Sequence, residues 1–456
     1  SGLSPSYINE IEKGKKYPKT DKIVVLADAL GIEYDDLISS KLTKELHPIS
    51  SILQSPIFQE IPFDLFGFKS TDLMELMSNA PSKFSAFLST LIEIARNYDL
   101  TKEQFFFAAL RSYQEMHNNY FPELEEKVTQ FKKTYKLENP TSEQLIQILE
   151  TEFKTSINFE ALSDQPHLSD LRCIYIKPNK LFINNNLLEE QRLFVLAKEI
   201  GFRYLSLKER TTSTSMKAES FEHVFNNFQA GYFAGCLLLP QKQIVAELKK
   251  LFKSKKWSNE SFLQIKEKFN VTPETFISRL TQLIPSHFDI DQLFFLRYFH
   301  HLDTDKFEIT KELHFSKLHS PHGVGTDEHY CRRWITISLL NDLKNEQEKI
   351  KAGAQISKFH ETENNYLCLS MGRSLSLSNQ INSCVTIGFT IDKQFKEKVK
   401  FTNDPNITSK IVNETCERCG ILDCEERAAD PRIYKQEQRA AQRKNALTEF
   451  LNHYNF

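Results

Sequence analysis

The sequence predicts a mainly α fold with a mixed α+β C-terminal half. Up to about residue 285, apolar residues recur at helical spacing, with capping residues and glycine stops between the runs. Beyond 286 the texture changes, and strand-like pieces occur at 293–299, 334–339, 366–371 and 384–391. At 456 residues the chain exceeds the size at which one core stops growing, so about three domains are expected.

Residues 1–45 form the first unit. Ser4 is a good N-cap for a helix with Ile8 and Ile11 on one face, ending at Lys13-Gly14. Pro18 breaks the chain. A second helix then runs from about Thr20 to Leu30, with Ile23, Leu26, Ala27 and Leu30 inward and Gly31 as its stop. A short helical turn over 34–38 closes the unit. Residues 46–115 read as a helical connector, punctuated early by Pro48, Pro56 and Pro62. Residues 116–285 form a helical body interrupted by one hairpin, 173–176 and 181–183, around Lys177-Pro178-Asn179-Lys180. Residues 286–432 carry the strand-like pieces and a cysteine cluster, and 433–456 is a polar, charged helix.

Hydrophobic residues make up 40% of the chain, with 36 Phe, which is ample for buried cores. The 58 basic residues nearly cancel the 60 acidic ones, so any nucleic-acid contact must come from a local patch. No apolar run approaches the roughly 18–20 residues needed to span a bilayer, and the N-terminus has no signal-peptide pattern. Eight Cys in so long a chain are not a disulfide framework. Cys416, Cys419 and Cys424 fall within nine residues, which in a reducing compartment reads as a metal site. A cytoplasmic protein without membrane contact is expected.

The stretch Gly2-Leu3-Ser4-Pro5-Ser6-Tyr7-Ile8-Asn9-Glu10-Ile11-Glu12-Lys13-Gly14-Lys15-Lys16-Tyr17-Pro18 closely resembles the second half of the repressor-type (XRE-family) helix-turn-helix. The resemblance implies a recognition helix beginning near Ser4, with Ser4, Ser6, Tyr7 and Asn9 meeting bases or backbone of a double-stranded DNA operator. Lys13, Lys15, Lys16, Lys19 and Lys22 add five positive charges within ten residues, with Asp21 as the one acid among them. That is a local phosphate grip. By charge alone it is equally an ordinary solvated face. The family's earlier helices would precede Ser1, so the motif is partial, and the head as it stands is expected to bind DNA poorly.

The segment Gln191-Arg192-Leu193-Phe194-Val195-Leu196-Ala197-Lys198-Glu199-Ile200-Gly201-Phe202 resembles the central helix of the ImmA/IrrE-like metallopeptidases, a helical, zincin-like body. There a His-Glu-x-x-His pattern binds zinc through two imidazoles one turn apart, and the Glu is general base. Here the two ligand positions are Lys198 and Phe202. A protonated Lys offers no lone pair to a metal, and Phe has none. Downstream, Ala230-Gly231-Tyr232-Phe233-Ala234-Gly235-Cys236-Leu237-Leu238-Leu239-Pro240 resembles the family's second helix, and Asn227 stands where the third, acidic ligand would be. With all three ligand positions changed, a pseudo-peptidase with no metal at this site is expected, and Glu199 reads as structural.

In the C-terminal third, Phe294-Phe295-Leu296-Arg297, Phe315, Cys331-Arg332-Arg333-Trp334 and Cys416-Glu417-Arg418-Cys419-Gly420-Ile421-Leu422-Asp423-Cys424-Glu425-Glu426-Arg427-Ala428-Ala429 resemble the short-chain fatty acyl regulators. These bacterial regulators join a repressor-type head, an ImmA/IrrE-like domain and a Cys-bearing α/β sensor domain. The resemblance implies an acyl-thioester or related effector, such as a short-chain acyl-CoA. Arg297, Arg332, Arg333, Trp334 and Arg373 are the candidate ligand residues, because arginines suit a phosphorylated ligand. Surface charge plus a core Trp is the competing reading. The spacing Cys416-x-x-Cys419 followed by Cys424 suits a tetrahedral zinc, with Cys331 as candidate fourth ligand. Cys384, His314, His319, His322 and His329 are the runners-up. Reduced cysteines packing a tight turn, or a redox-sensing thiol group, are the alternatives. Cys173, Cys236 and Cys368 lie in apolar surroundings and read as core.

Taken together the sequence points to a ligand-responsive, DNA-binding transcription regulator acting as a homodimer on a roughly palindromic operator. A zinc peptidase acting on a partner repressor, and a protein-interaction module that binds no DNA, are the alternatives.

Overall fold

A computed structural model describes residues 2–13, 18, 20–31, 63–67, 90, 93, 101–213, 216–315, 328–345 and 350–453. The helical turn expected over 34–38, Lys15, Lys16, Lys19, His319 and His322 lie outside these residues, as does most of the connector. The chain divides into two compact units, Ser1–Ala109 and Leu110–Phe456.

In the first unit, helix α1 (Pro5–Glu12) starts where Ser4 Oγ accepts the Tyr7 N–H at 3.3 Å, with proline in the first turn. Helix α2 (Thr20–Leu30) ends at Gly31, whose φ of 68° only glycine adopts without strain. Ala27 is buried, but Leu30, expected inward, is 63% exposed because it stands in the final helical position. The unit also holds a 3-10 turn at Phe63–Phe66. Helix α3 (Lys102–Met116) runs from the end of this unit into the next.

The second unit is built in layers. Its helices are α4 (Pro122–Thr134), α5 (Ser142–Thr151), α6 (Glu189–Tyr204), α7 (Phe221–Leu238), α8 (Gln241–Lys253), α9 (Asn259–Glu267) and α10 (Pro273–Phe288). The predicted hairpin is present as β2 (Cys173–Ile176) and β3 (Lys180–Ile183), and a third strand, β1 (Ser156–Asn158), pairs parallel with β3. A six-stranded sheet follows in the order β5-β4-β8-β7-β6-β9. Its strands are β4 (Leu293–His301), β5 (Lys306–His314), β6 (Ile350–Phe359), β7 (Asn365–Leu375), β8 (Ser378–Thr390) and β9 (Thr408–Val412). The α7–α10 helices and one sheet face share a core that includes Phe276, Leu280, Phe295, Leu369 and Ile387. The opposite face packs on α11 (Ile335–Asn345) through Leu296, Tyr298, Ile337 and Leu340.

Residues 334–339 were expected to be a strand and instead begin α11. The alternation Ile335-Thr336-Ile337-Ser338-Leu339 imitates a strand, yet the face completed by Leu340 and Leu343 buries against the sheet. Glycines in the strands make room for it. A Cβ on Gly353 would stand 2.9 Å from Ile335 Cδ1, and one on Gly372 would stand 2.9 Å from Leu343 Cδ1. Two shorter helices complete the unit, α12 (Lys393–Lys398) and the predicted C-terminal helix α13 (Arg432–His453).

A buried ion pair ties the helical layer together. Arg279 of α10, fully buried, donates to both carboxylate oxygens of Glu125 of α4 at 2.6 and 2.9 Å. Tyr232 Oη and Cys236 Sγ of α7 donate to the same carboxylate at 2.9 and 3.3 Å. Burial pushes the Glu125 carboxyl up, but the Arg279 hydrogen bonds and charge outweigh it, so its pKa lies below the ordinary 4.5. The stabilisation is therefore present above pH 4.5 and is lost as pH falls through the lower folded value.

Glu125→Gln and Arg279→Met should each cost about 3–5 kcal/mol in urea unfolding, because each strands a buried partner. The double variant Glu125→Leu/Arg279→Met should recover most of that loss. Single losses below about 1 kcal/mol would show that the pair does not hold these helices.

Candidate functional site

The candidate residues fall into separate places. On α1, Ser6, Asn9 and Lys13 are exposed and Tyr7 is half-buried. The Ser4 oxygen is engaged as the helix cap, and the Asn9 carbonyl accepts the Lys13 N–H at 3.1 Å. About two turns, from α1 to its C-cap Lys13, thus present two small polar side chains and a cation to the outside.

In the second unit, α6 lies close against α7 because Gly201 has no side chain. A Cβ there would stand 3.0 Å from the Ala230 carbonyl oxygen. This approach brings together the three positions singled out from the sequence. Lys198 Nζ donates to Asn227 Oδ1 at 2.5 Å, and the same ammonium lies 5.8 Å from the Phe202 ring centroid. Burial, reinforced by the charges of Arg172 and Arg210, lowers the Lys198 pKa from 10.5 to about 8.

Glu199, next along the helix, is buried and fully occupied. Arg203 Nε donates to it at 2.7 Å, and Arg210 donates through two nitrogens at 2.6 and 2.9 Å. The Arg210 guanidinium also lies 3.3 Å from the Tyr175 ring centroid and 4.3 Å from that of Phe202. A carboxylate so bound has its oxygens committed to two guanidinium groups. The i,i+4 spacing of Glu199 and Arg203 could have pointed to one of these partners, but no local spacing points to Arg210.

Residues 153–281 match the family model of the IrrE N-terminal-like domain. Residues 1–37 match a helix-turn-helix family model. Among solved structures, a Mycobacterium tuberculosis transcriptional regulator has a similar fold, with a TM-score of 0.51 and 18% identity. The match covers 70% of this chain and 92% of that one. No curated protein matches the chain in sequence. The segment that matches this family model contains α6 and α7.

Farther along the chain, two cavities border α11. The larger is lined by Phe294, Leu296, Trp334, Phe359 and Tyr366, with Thr336, Ser357, Thr386, His314 and Glu414 as its polar groups. The smaller is lined by Cys331, Cys416, Cys419 and Cys424 together with Arg332, Arg333 and Arg427. Backbone bonds bring the two cysteine segments together. Tyr330 and Thr415 form an isolated bridge, Cys331 N–H donates to the Glu414 carbonyl at 3.1 Å, and Cys416 N–H donates to that of His329 at 2.8 Å. Arg427 ties the loop by donating to the carbonyls of Cys416 and Cys419 at 2.6 and 3.1 Å. Among the described residues, no three His, Cys, Asp or Glu side chains stand in an arrangement that holds a metal. Cys384 is buried in the sheet, away from this cavity.

The five candidate ligand residues are not gathered at one pocket. Trp334 lines the larger cavity, and Arg332 and Arg333 line the cysteine cavity. Arg297 and Arg373 belong to strands of the sheet and project to its other face, where Arg373 pairs with Glu274 at 3.0 Å. Glu274 is buried, which raises its pKa, but Arg373 brings it down to about 2. Helix α13 is held at its first turn, where the Ile433 and Tyr434 N–H groups donate to the Glu417 carbonyl at 3.1 and 3.0 Å. No α13 side chain is buried. No helix among the described residues is long and apolar enough to cross a membrane.

The depressed Lys198 pKa makes a stability prediction. The unfolded chain holds this proton up to about pH 10.5 and the folded chain only to about 8, so the cost is full below 8 and fades as pH rises through that window. Lys198→Met should therefore stabilise the protein at neutral pH by about 1–3 kcal/mol in thermal or urea melts, with the gain shrinking towards alkaline pH. A melting temperature below that of the parent chain would show the ammonium to be stabilising.

Proposed function

We propose that this chain is a DNA-binding transcription regulator whose second unit senses a small metabolite and has no peptidase activity. The observation that carries the DNA-binding reading is the solvent-facing row Ser6, Asn9 and Lys13 on α1, inside the segment that matches a helix-turn-helix family. Polar side chains at the start of such a helix read base edges, and lysines beside it grip phosphates. Helix-turn-helix heads bind paired half-sites, so a homodimer on a roughly palindromic operator is the assembly we infer. Eight free thiols fit the reducing cytoplasm.

The contact between Lys198 and Asn227 supports the loss of catalysis. An ammonium stands where a peptidase needs a lone pair for zinc, and Glu199 is committed to two arginines. The aromatic lining of the larger cavity suits a short acyl chain. Arg332 and Arg333, directly before Trp334 in the chain, suit the phosphates of a coenzyme A thioester. For the cysteine cavity we propose zinc: its four soft donors, Cys331, Cys416, Cys419 and Cys424, are the set such an ion takes as thiolates, and binding would have to draw them closer together than they now stand, fastening residues 328–334 to the loop after β9.

Selection of DNA sequences by the full chain should enrich a two-fold symmetric site. Asn9→Ala should weaken binding to it by about 1–3 kcal/mol, and Lys13→Ala should lower the salt slope of log affinity by about 1. No enrichment of any sequence would favour a protein-interaction module. In thermal melts, a short acyl-CoA at about 100 times its dissociation constant should add roughly 2.7 kcal/mol of stability, and Trp334→Ala should abolish the gain. Absence of any shift across acyl-CoA esters would remove the acyl reading. Metal analysis of protein purified without chelator should find about one zinc per chain, falling sharply in Cys419→Ser. Peptide cleavage abolished by Glu199→Gln would restore the peptidase reading suggested by the family match.

A further inference from the structure

Past its first turn, helix α13 has no covered face: every residue from Lys435 to His453 is exposed, Leu447, Phe450 and Leu451 among them. Helices in water draw most of their stability from packing an amphipathic face on something else. The side chains of α13 are patterned for that. Ile433, Glu437, Ala440, Lys444, Leu447 and Leu451 follow one another at alternating intervals of four and three residues. This is the heptad rhythm, which turns one stripe of a helix towards a partner helix along its whole length. Four positions of the stripe are apolar, and the other two carry opposite charges.

Those two charges indicate what covers the stripe. In a parallel pair of identical helices each position meets its own copy, so Glu437 would face Glu437 and Lys444 would face Lys444. In an antiparallel pair with its two-fold axis near Gln442, Ile433 meets Leu451 of the second copy and Ala440 meets Lys444 of the second copy. That lysine lays its methylene stem over the alanine and carries its ammonium towards Glu437, one turn away. Among the described residues neither Glu437 nor Lys444 makes an ion pair within its own chain. Arg418, whose charge reaches Glu437, is itself held by Glu328 at 2.7 and 2.8 Å. Arg443 flanks the stripe near the axis and stays in water, where the like charge of its copy is screened. The same pairing carries the apolar tip of one helix to the base of the other. At that base Tyr434 abuts Gly420 of the cysteine loop, and Leu422, two residues on, is 63% exposed.

We propose that α13 is the surface through which this chain associates with a second copy of itself, antiparallel, along Ile433, Ala440, Leu447 and Leu451, with Glu437 and Lys444 setting the register. The contact is isologous, one patch used twice about a two-fold axis, which closes a dimer and leaves no open end. Charged residues inside such a seam cost affinity and fix its alignment and orientation. The inference rests on the homodimer proposed above and gives it a location. It needs no DNA, because α13 belongs to the second unit.

The test is sedimentation equilibrium of the full chain without DNA. The parent should be a dimer, and Leu447→Asp/Leu451→Asp should weaken association about tenfold or more. Glu437→Lys should also weaken it about tenfold, and Glu437→Lys/Lys444→Glu should restore it. In a parallel pair Glu437→Lys would merely replace one like-charge contact by another. The substituted side chains are exposed, so each variant should melt as the parent does when diluted to monomer, which separates lost contact from misfolding. A dimer unaltered by these variants would leave the homodimer standing, place its contact elsewhere and overturn the proposal. A monomeric parent would overturn the homodimer as well. Failure of the double charge swap to restore association would overturn the antiparallel register. Binding of a monomeric chain to anionic lipid vesicles, lost in the double aspartate variant, would assign α13 to a membrane surface instead.

Discussion

The bond between Arg279 and Glu125 is the constraint on which the second unit depends. Arg279 reaches the carboxylate of α4 with one side of its fork and the Leu239 carbonyl at the end of α7 with Nε at 3.2 Å. Three helices are thereby fixed in one register, and α10, which carries the arginine, lays its other residues on β4, β7 and β8. A charge at that depth tolerates little displacement, because any shift leaves a buried ion without its partner. The position of α7, and with it Asn227 beside Lys198, follows from this.

Lys198 and Asn227 meet across the close approach of α6 and α7, an ammonium received by an amide oxygen. Glu199, one residue further along α6, is drawn into a cluster with Arg203 and Arg210 that braces the hairpin strand carrying Tyr175.

The sequence made the fold readable where one local signal sufficed. Ser4 and Gly31 mark helix ends through their own side chain or its absence, and the 173–183 hairpin declares its turn. Strands β4, β7 and β8 were visible because both their faces are covered, which makes them continuous apolar runs. Strands β5, β6 and β9 were missed because they lie towards the sheet edges and mix charged with apolar residues, as in Lys306-Phe307-Glu308-Ile309. Helix α11 was misread because only Gly353 and Gly372, on other strands, reveal what lies above them. The site followed the same rule. Lys198, Phe202 and Asn227 could be named from the resemblance to the metallopeptidase helices, whereas the opposition of Arg297 to Lys311 depends on a register that no local pattern discloses.

Helix α13 joins the cysteine loop at its N-terminal end. Its first turn bonds the Glu417 carbonyl, and the Tyr434 ring leans on Gly420, where a Cβ would meet it at 2.8 Å. The helix of 22 residues that starts at that pivot extends about 33 Å with no buried side chain. Such a rod is a lever: a tilt of about 10° at its base sweeps the tip through roughly 6 Å. Whatever sets the geometry of the loop from Cys416 to Cys424 therefore steers Leu447, Phe450 and Leu451, the exposed apolar side chains near the far end.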